Sequence, residues 1–245
     1  MSELLVELFS EEIPPNLQVS ARTQLKKIFI DELSSINLPY KDISVFSSPT
    51  RLVILISGLL EKIKIPPSEV KGPKLGVPKK IIEKFARSKN VNINSLIEKK
   101  LEKGIFYFAK LKGMDIYTEN ELIKIIPKCL NKISWKKSMK WSNYDLNWGR
   151  PLRSILSIYN KKHLKFKYSH IASVDFTILE QNTEIKYKKL NSFKEYSKFL
   201  KENEIIIDQE QRIKIIMDKI KSICKTRSCI ELIDQSLLFE VSNLV

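Results

Sequence analysis

The side chains of this sequence that could act chemically are few and scattered. Glu11 and Glu12 stand together in MSELLVELFSEEIPP. Adjacent carboxylates can serve as general acid and base, or hold a metal, when a cleft and partners converge on them. No His, Cys or third acid flanks the pair. Its place between an alternating apolar run and Pro14-Pro15 favours a solvated acid pair at a helix start, where the helix dipole attracts negative charge. His163 and His170 are two ligands without a third, and Cys129, Cys224 and Cys229 lack metal-ligand spacing. Lys71-Gly-Pro-Lys-Leu-Gly76 has glycines and lysines without the spacing of a phosphate loop, so it reads as a basic loop. No nucleophile elbow, dinucleotide fingerprint or kinase motif occurs. The expectation is no catalytic residue and no metal site.

The stretch KKSMKWSNYDLNWGRPLRS, residues 136–154, has a different character. Lys136, Lys137, Arg150 and Arg153 alternate with Trp141, Tyr144 and Trp148, and Lys140 adds a further cation. Basic side chains neutralise phosphates while aromatic rings stack on unpaired bases, which makes Lys136, Lys137, Lys140, Trp141, Arg150 and Arg153 the candidate RNA contacts. Tryptophan is also a common core residue, so core packing and RNA contact remain equally open here.

The 245 residues carry 43 Lys and Arg against 28 Asp and Glu, a formal net charge of +15. Such an excess suits a polyanionic partner, nucleic acid first. Abundant Lys, Ile and Asn with little Gly also fit the drift of an AT-rich genome, which weakens the inference. The length is enough for one large domain or two modest ones. No apolar run approaches a membrane span, and the acids at Glu3 and Glu7 argue against a secretory signal. Three unpaired cysteines fit a reducing, cytoplasmic setting.

The elements that must position these residues follow from periodicity. Alternation predicts a strand over 3–9 with Leu4, Val6 and Leu8 on one face; Pro14-Pro15-Asn16 then offers a helix start, and 3.6-residue spacing from Leu17 predicts a helix to about Ser35. Two strands, 43–45 and 52–56, flank a turn at SSPT. Residues 61–76, with three prolines, read as an extended connection, followed by a helix from Pro78 that buries Ile81, Ile82, Phe85 and Ala86. A glycine-bracketed strand spans 104–113. Helical spacing from Leu122 to Ile133 contains Pro127, which predicts a kink or a helix start there. Strands at 151–159 and 164–168 are expected to pair around NKKH. Beyond them a helix at 192–201, a strand at 205–207, a helix from Gln209 to about Lys225 and a last helix from Cys229 complete the pattern. The helix from Gln209 shows an apolar stripe of Ile213, Ile216, Met217, Ile220 and Cys224. The fold class is α+β, with mixed and antiparallel sheets, packed helices and a more helical C-terminal part. The expected division is 1–115, 116–190 and 191–245. The apolar finish LLFEVSNLV predicts that the structure continues beyond it.

Four stretches together resemble the β subunit of the bacterial two-subunit glycyl-tRNA synthetase: LLVELFSEEIPP, FSSPTRLVILISGL, VKGPKLGVPKKIIEKFARSKNV and KSMKWSNYDLNWGRPLRSILSIY. The resemblance is close over residues 1 to about 168 and looser beyond. It implies that Glu11-Glu12 belongs to a structural strand-to-helix junction. It also implies a chain that supports tRNA(Gly) binding and assembly with a separate catalytic α subunit. That subunit binds ATP and activates glycine within a cytoplasmic heterotetramer, and no cofactor is expected on this chain itself. Lys140 stands where the family has arginine, Ser142 where it has glycine, and Thr50 where it has the first of two arginines. A Gly-His-Arg-Phe element expected after Tyr168 is not reproduced, and nothing resembles the family's C-terminal anticodon-binding region. The resemblance therefore implies an N-terminal fragment. The rival readings are an independent basic RNA-binding protein and a non-functional remnant of the subunit.

Overall fold

The computed structural model describes residues 2–181 and 184–244. The chain is α+β with mixed sheets. Strand β1 (Ser2–Ser10) leads through Pro14 into helix α1 (Pro15–Ser35), with proline in its first turn. A missing N–H costs nothing at that position, because the first helical amides have no partner within the helix. Strands β2 (Asp42–Ser48) and β3 (Arg51–Leu59) follow, joined by Pro49-Thr50 alone. Gly58, at φ +74°, ends this hairpin; a side chain there would put its Cβ 2.4 Å from that of Lys41.

Residues 62–117 form a compact unit of their own. Its elements are β4 (Lys62–Ile65), β5 (Ser68–Lys74), α2 (Lys79–Ser88), β6 (Ile97–Leu101), β7 (Gly104–Leu111) and β8 (Met114–Tyr117). β4 pairs with β8, and β5-β7-β6 form a three-stranded antiparallel sheet. The connection expected over 61–76 is thus two strands. Prolines are compatible with this because Pro66 and Pro67 fall between β4 and β5, and Pro73 lies where the β5–β7 register shifts. Of the apolar face expected on α2 only Ala86 is fully buried, and Ile81 is exposed.

The chain then continues with α3 (Thr118–Asn131), which runs through Pro127 as one helix. Next come β9 (Leu152–Tyr159), β10 (Lys162–His163), β11 (Lys167–Tyr168), β12 (Ile171–Val174), β13 (Phe176–Gln181) and β14 (Glu184–Lys189). Helices α4 (Phe193–Glu202), α5 (Gln209–Thr226) and α6 (Gln235–Ser242) complete the order. With residues 1–61 they make the second compact unit. Its main sheet has the order β11-β12-β9-β1-β3-β2, with β10 also on β9. β1 is antiparallel to both β3 and β9, so residues from the beginning and the middle of the chain share one sheet. For this reason the compact units divide at 61 and 117, where the three-part expectation divides at 115 and 190.

Both faces of β1 are buried. Leu4, Val6 and Leu8 are covered as expected, but so are Leu5, Glu7 and Phe9. Leu5, Val53, Leu156 and Ile158 pack with Leu190, Tyr196, Leu200 and Ile207, which brings α4 and the segment after it onto one face. α1 packs against β2 and β3 through a stripe that includes Ala21, Leu25, Phe29 and Leu33. A central strand in a doubly covered sheet is apolar on both sides, which alternation alone does not reveal.

Several local expectations are corrected. The pairing around NKKH is shorter than expected: β10 pairs with β9 and the Leu164 amide still donates to the Ser157 carbonyl of β9 (3.0 Å), but β11 pairs with β12 instead. Residues 205–207 form no strand; Ile207 is buried by packing, without a ladder partner. The last helix begins at Gln235, where Asp234 accepts from the amides of Ser236 (2.8 Å) and Leu237 (3.1 Å), and Ile230 and Leu232 before it are exposed. The stripe expected on α5 is only partly covered, and the fully buried side chain of that helix is Arg212. No helix among the described residues is long and apolar enough to cross a membrane.

Candidate nucleic-acid interface

The basic-aromatic segment is a loop between α3 and β9, pinned at its base by the core. Trp148 is 1% exposed and packs edge-on against Trp135 (5.1 Å between centroids) and Tyr168 (5.9 Å). Gly149 makes this possible, since a Cβ there would meet the Trp135 ring at 2.4 Å. Burial pushes the Tyr168 hydroxyl up to about 12, so it remains a neutral part of the same cluster. Met139 and Trp148 exchange two backbone hydrogen bonds, the Met139 amide to the Trp148 carbonyl (2.8 Å) and the reverse (3.1 Å). These bonds close residues 140–147 into a projecting loop. Ser142, at φ +53°, turns its tip.

Of the sequence-derived candidates, Lys136, Lys137 and Lys140 are exposed around this loop. Lys140 Nζ lies 3.6 Å from Asp145, a solvent-exposed pair worth about 0–1 kcal/mol and easily exchanged for another anion. No ion-pair partner for Lys136 or Lys137 occurs among the described residues. Trp141 is half-buried, with its ring 6.0 Å from and steeply inclined to that of His170. Tyr144, exposed, stacks on that imidazole at 3.5 Å and 5°. His170 sits in the β11–β12 turn and organises both aromatics, a role for which spacing carried no signal.

Arg150 and Arg153 are placed differently. Arg150 is half-buried and donates to the neighbouring Gly149 carbonyl (2.8 Å). Arg153 lies on β9, bridged to Glu180 (2.5 Å) and 3.5 Å from Glu11, with its guanidinium over the Phe9 ring. The Glu180 bond holds it more firmly protonated than a free arginine. Two carboxylates already neutralise it, so it has less charge to offer a phosphate than Lys136 or Lys137. The structure thus separates the segment: Trp148 belongs to the core, the lysines and Tyr144 to the surface.

Glu11 is engaged at the strand-to-helix junction. Its amide donates to Pro151 (3.0 Å), its carboxylate faces Arg153, and no acid lies in the first turn of α1. The ionic site of the interior is instead Glu7–Arg51, with side chains 1% and 3% exposed and 3.1 Å apart. Glu7 also accepts from Thr177 (2.7 Å) and Tyr196 (2.5 Å), and Arg51 donates to Thr50 and to the Ile178 carbonyl. This network ties β1, β3, β13 and α4 together, and every Glu7 oxygen is engaged, leaving it no access to a substrate. A cleft of about 630 Å³ is lined by Phe46, Phe193 and Ile205–Ile207 with Glu204 and Asp208. Asp208 is occupied in capping α5, accepting from Glu210 (2.9 Å) and Gln211. Among the described residues no group of three or more His, Cys, Asp or Glu could hold a metal ion.

A family model described as the glycyl-tRNA synthetase β subunit matches residues 4–245. Glycine–tRNA ligase β subunits of Rickettsia bellii (strain OSU 85-389) and Rickettsia peacockii (strain Rustic) are 34% and 33% identical to this chain over 245 residues. That of Rickettsia typhi is 33% identical over 244 residues. Each comparison covers 100% of this chain and 37% of the relative, so the chain spans little more than a third of their length. Glu11-Glu12 stands between β1 and α1, at a strand-to-helix junction as the resemblance implied. The chain belongs to the glycyl-tRNA synthetase β subunit family and corresponds to the N-terminal part of that subunit.

Proposed function

We propose that this chain serves glycyl-tRNA formation as the holding and assembly portion of a glycine–tRNA ligase β subunit, without catalytic residues of its own. In this reading a separate α subunit binds ATP and activates glycine. The present chain helps to seat tRNA(Gly) and to maintain a cytoplasmic heterotetramer. The family match over residues 4–245 carries the proposal. Supporting it is the exposed loop with Lys136, Lys137 and Lys140 beside Trp141 and Tyr144, where phosphate neutralisation and stacking can act together.

The test is co-expression with a glycyl-tRNA synthetase α subunit, followed by co-purification and by tRNA binding measured across salt. Association with the α subunit is expected, along with tRNA affinity that falls steeply with salt. Lys136→Ala and Lys137→Ala should each reduce the log–log salt slope by about one, whereas Arg153→Ala, already neutralised by Glu180 and Glu11, should change it little. A chain that binds RNA strongly but ignores the α subunit would refute the ligase reading and favour an independent RNA-binding protein.

A further inference from the structure

The basic charge is concentrated away from the 136–154 loop. Residues 62–117 hold fourteen Lys and Arg against five Asp and Glu, a net +9 of the chain's +15, on 56 residues. Within this unit the register of the three-stranded sheet fixes which side chains share a face. On the central strand β7, Phe106 and Phe108 are two residues apart and point the same way. Lys71 and Ile97 stand opposite Phe108, Lys74 and Lys99 opposite Phe106, and Glu69 opposite Lys110. Direct cross-strand partners lie on one side of a sheet, so a single face carries two phenylalanines, Lys71, Lys74, Lys99 and Lys110, with Glu69 as its acid.

The side chains confirm the placement. Lys71 Nζ lies 3.8 Å from the Phe106 ring centre and Lys99 Nζ 5.6 Å from that of Phe108. Lys99 also pairs with Glu69, and both are substantially exposed. Phe106 and Phe108 are half-buried rather than enclosed, and the four lysines are exposed. Two apolar rings held at a surface under exposed lysines are poorly explained by core packing. The helix of the unit does not account for them: α2 packs on β5, where Phe85 lies against Gly72 so closely that a Cβ would meet its ring at 2.4 Å.

We propose that this face binds a single-stranded segment of RNA, with two consecutive bases stacked on Phe106 and Phe108 and their phosphates neutralised by Lys71, Lys74 and Lys99. Paired aromatics on the central strand of an antiparallel sheet are an arrangement by which proteins hold unpaired bases, and flanking lysines supply the sequence-independent attraction. The lysines now resting on the rings are exposed and can swing to phosphates as bases take their place. Charge complementarity selects a polyanion, and the rings select one with planar, unpaired groups over an acidic protein segment. The site lies in a different unit from the 136–154 loop and requires no α subunit, so it stands or falls independently of the ligase reading.

The test uses the whole chain and a fluorescent oligouridylate of about eight nucleotides, within the span that one small binding fold covers. Anisotropy at low salt should show binding. Phe106→Leu with Phe108→Leu, which keeps apolar bulk and removes the stacking surface, should weaken it by about tenfold or more and leave the salt slope unchanged. Lys71→Gln, Lys74→Gln and Lys99→Gln together should lower the slope by about two. Photocrosslinking of a 4-thiouridine-containing oligomer to the unaltered protein should label the peptide spanning residues 97–111, a readout that does not depend on a variant folding. Binding by the Leu variant within twofold of the parent would overturn the proposal. So would crosslinks confined to other segments, or displacement of the oligomer by an equal concentration of oligoglutamate.

Discussion

Replacing Arg51 by methionine would reveal what the buried ion pair contributes to this fold. Methionine keeps much of the volume and removes the charge, leaving the Glu7 carboxylate 1% exposed in the sheet interior. Breaking a buried pair by removing one partner costs about 3–5 kcal/mol, because the remaining charge stays desolvated. Glu7 would retain its hydrogen bonds from Thr177 and Tyr196, which places the expected cost near the lower end, about 3 kcal/mol. With an m-value of about 2 kcal/mol/M in urea, the unfolding midpoint should fall by about 1.5 M. Glu7→Met should also destabilise, by stranding the guanidinium. The double variant Glu7→Met, Arg51→Met should cost at least about 2 kcal/mol less than the two singles summed, since it leaves no orphan charge. Urea titration followed by far-UV circular dichroism reads all four proteins. A midpoint shift for Arg51→Met below about 0.5 M, or strict additivity in the double variant, would refute the reasoning.

Trp148→Ala should destabilise by about 3–5 kcal/mol in urea unfolding, because it empties the cluster with Trp135 and Tyr168 that anchors the loop. Gly58→Ala should cost more than the ~1 kcal/mol of an ordinary backbone change, since φ is +74° and Lys41 blocks the added methyl; a smaller shift in unfolding midpoint would contradict this. Hydrogen bonds from Lys128 and Lys132 hold the Glu32 carboxyl below the usual range, so its stabilisation is present above the unfolded value of about 4.3 and is lost as pH falls through the lower folded value. The midpoint gap between parent and Glu32→Gln should accordingly be open at neutral pH and close in acid. Burial pushes the Cys129 thiol up to about 12, so a thiol reagent at pH about 8 should label exposed Cys229 in the folded chain and Cys129 only after denaturation.

Local pattern carried a good deal of this protein. The prolines at 14 and 15 and the spacing from Leu17 to Leu33 specify α1, because a proline helix start and 3.6-residue periodicity act over a single turn. The glycine-bracketed run at 104–113 is a strand for a similarly local reason. The same locality explains the failures. Residues 205–207 have strand composition, yet they bury Ile207 by packing and join no ladder. β12 is short and runs parallel to β9, a pairing that no local turn specifies, whereas β13 and β14 pair with each other as sequence neighbours.

The amino-acid order by itself determined the charge excess, the principal helices and strands, and the set of four motifs that marks the family. Only the tertiary structure decided what each charged or aromatic side chain is for. Glu7 reads as the polar member of an alternating strand, yet pairing of β1 with β9, far along the chain, seals it beside Arg51. Trp148 and Trp141 look equivalent in sequence, and one is core while the other borders solvent. Arg153 is neutralised by Glu180 and Glu11, and the lysines of β5 and β6 gather over two phenylalanines. Solvation and charge neutralisation are set by neighbours distant in the chain, and they come together only when the sheets close.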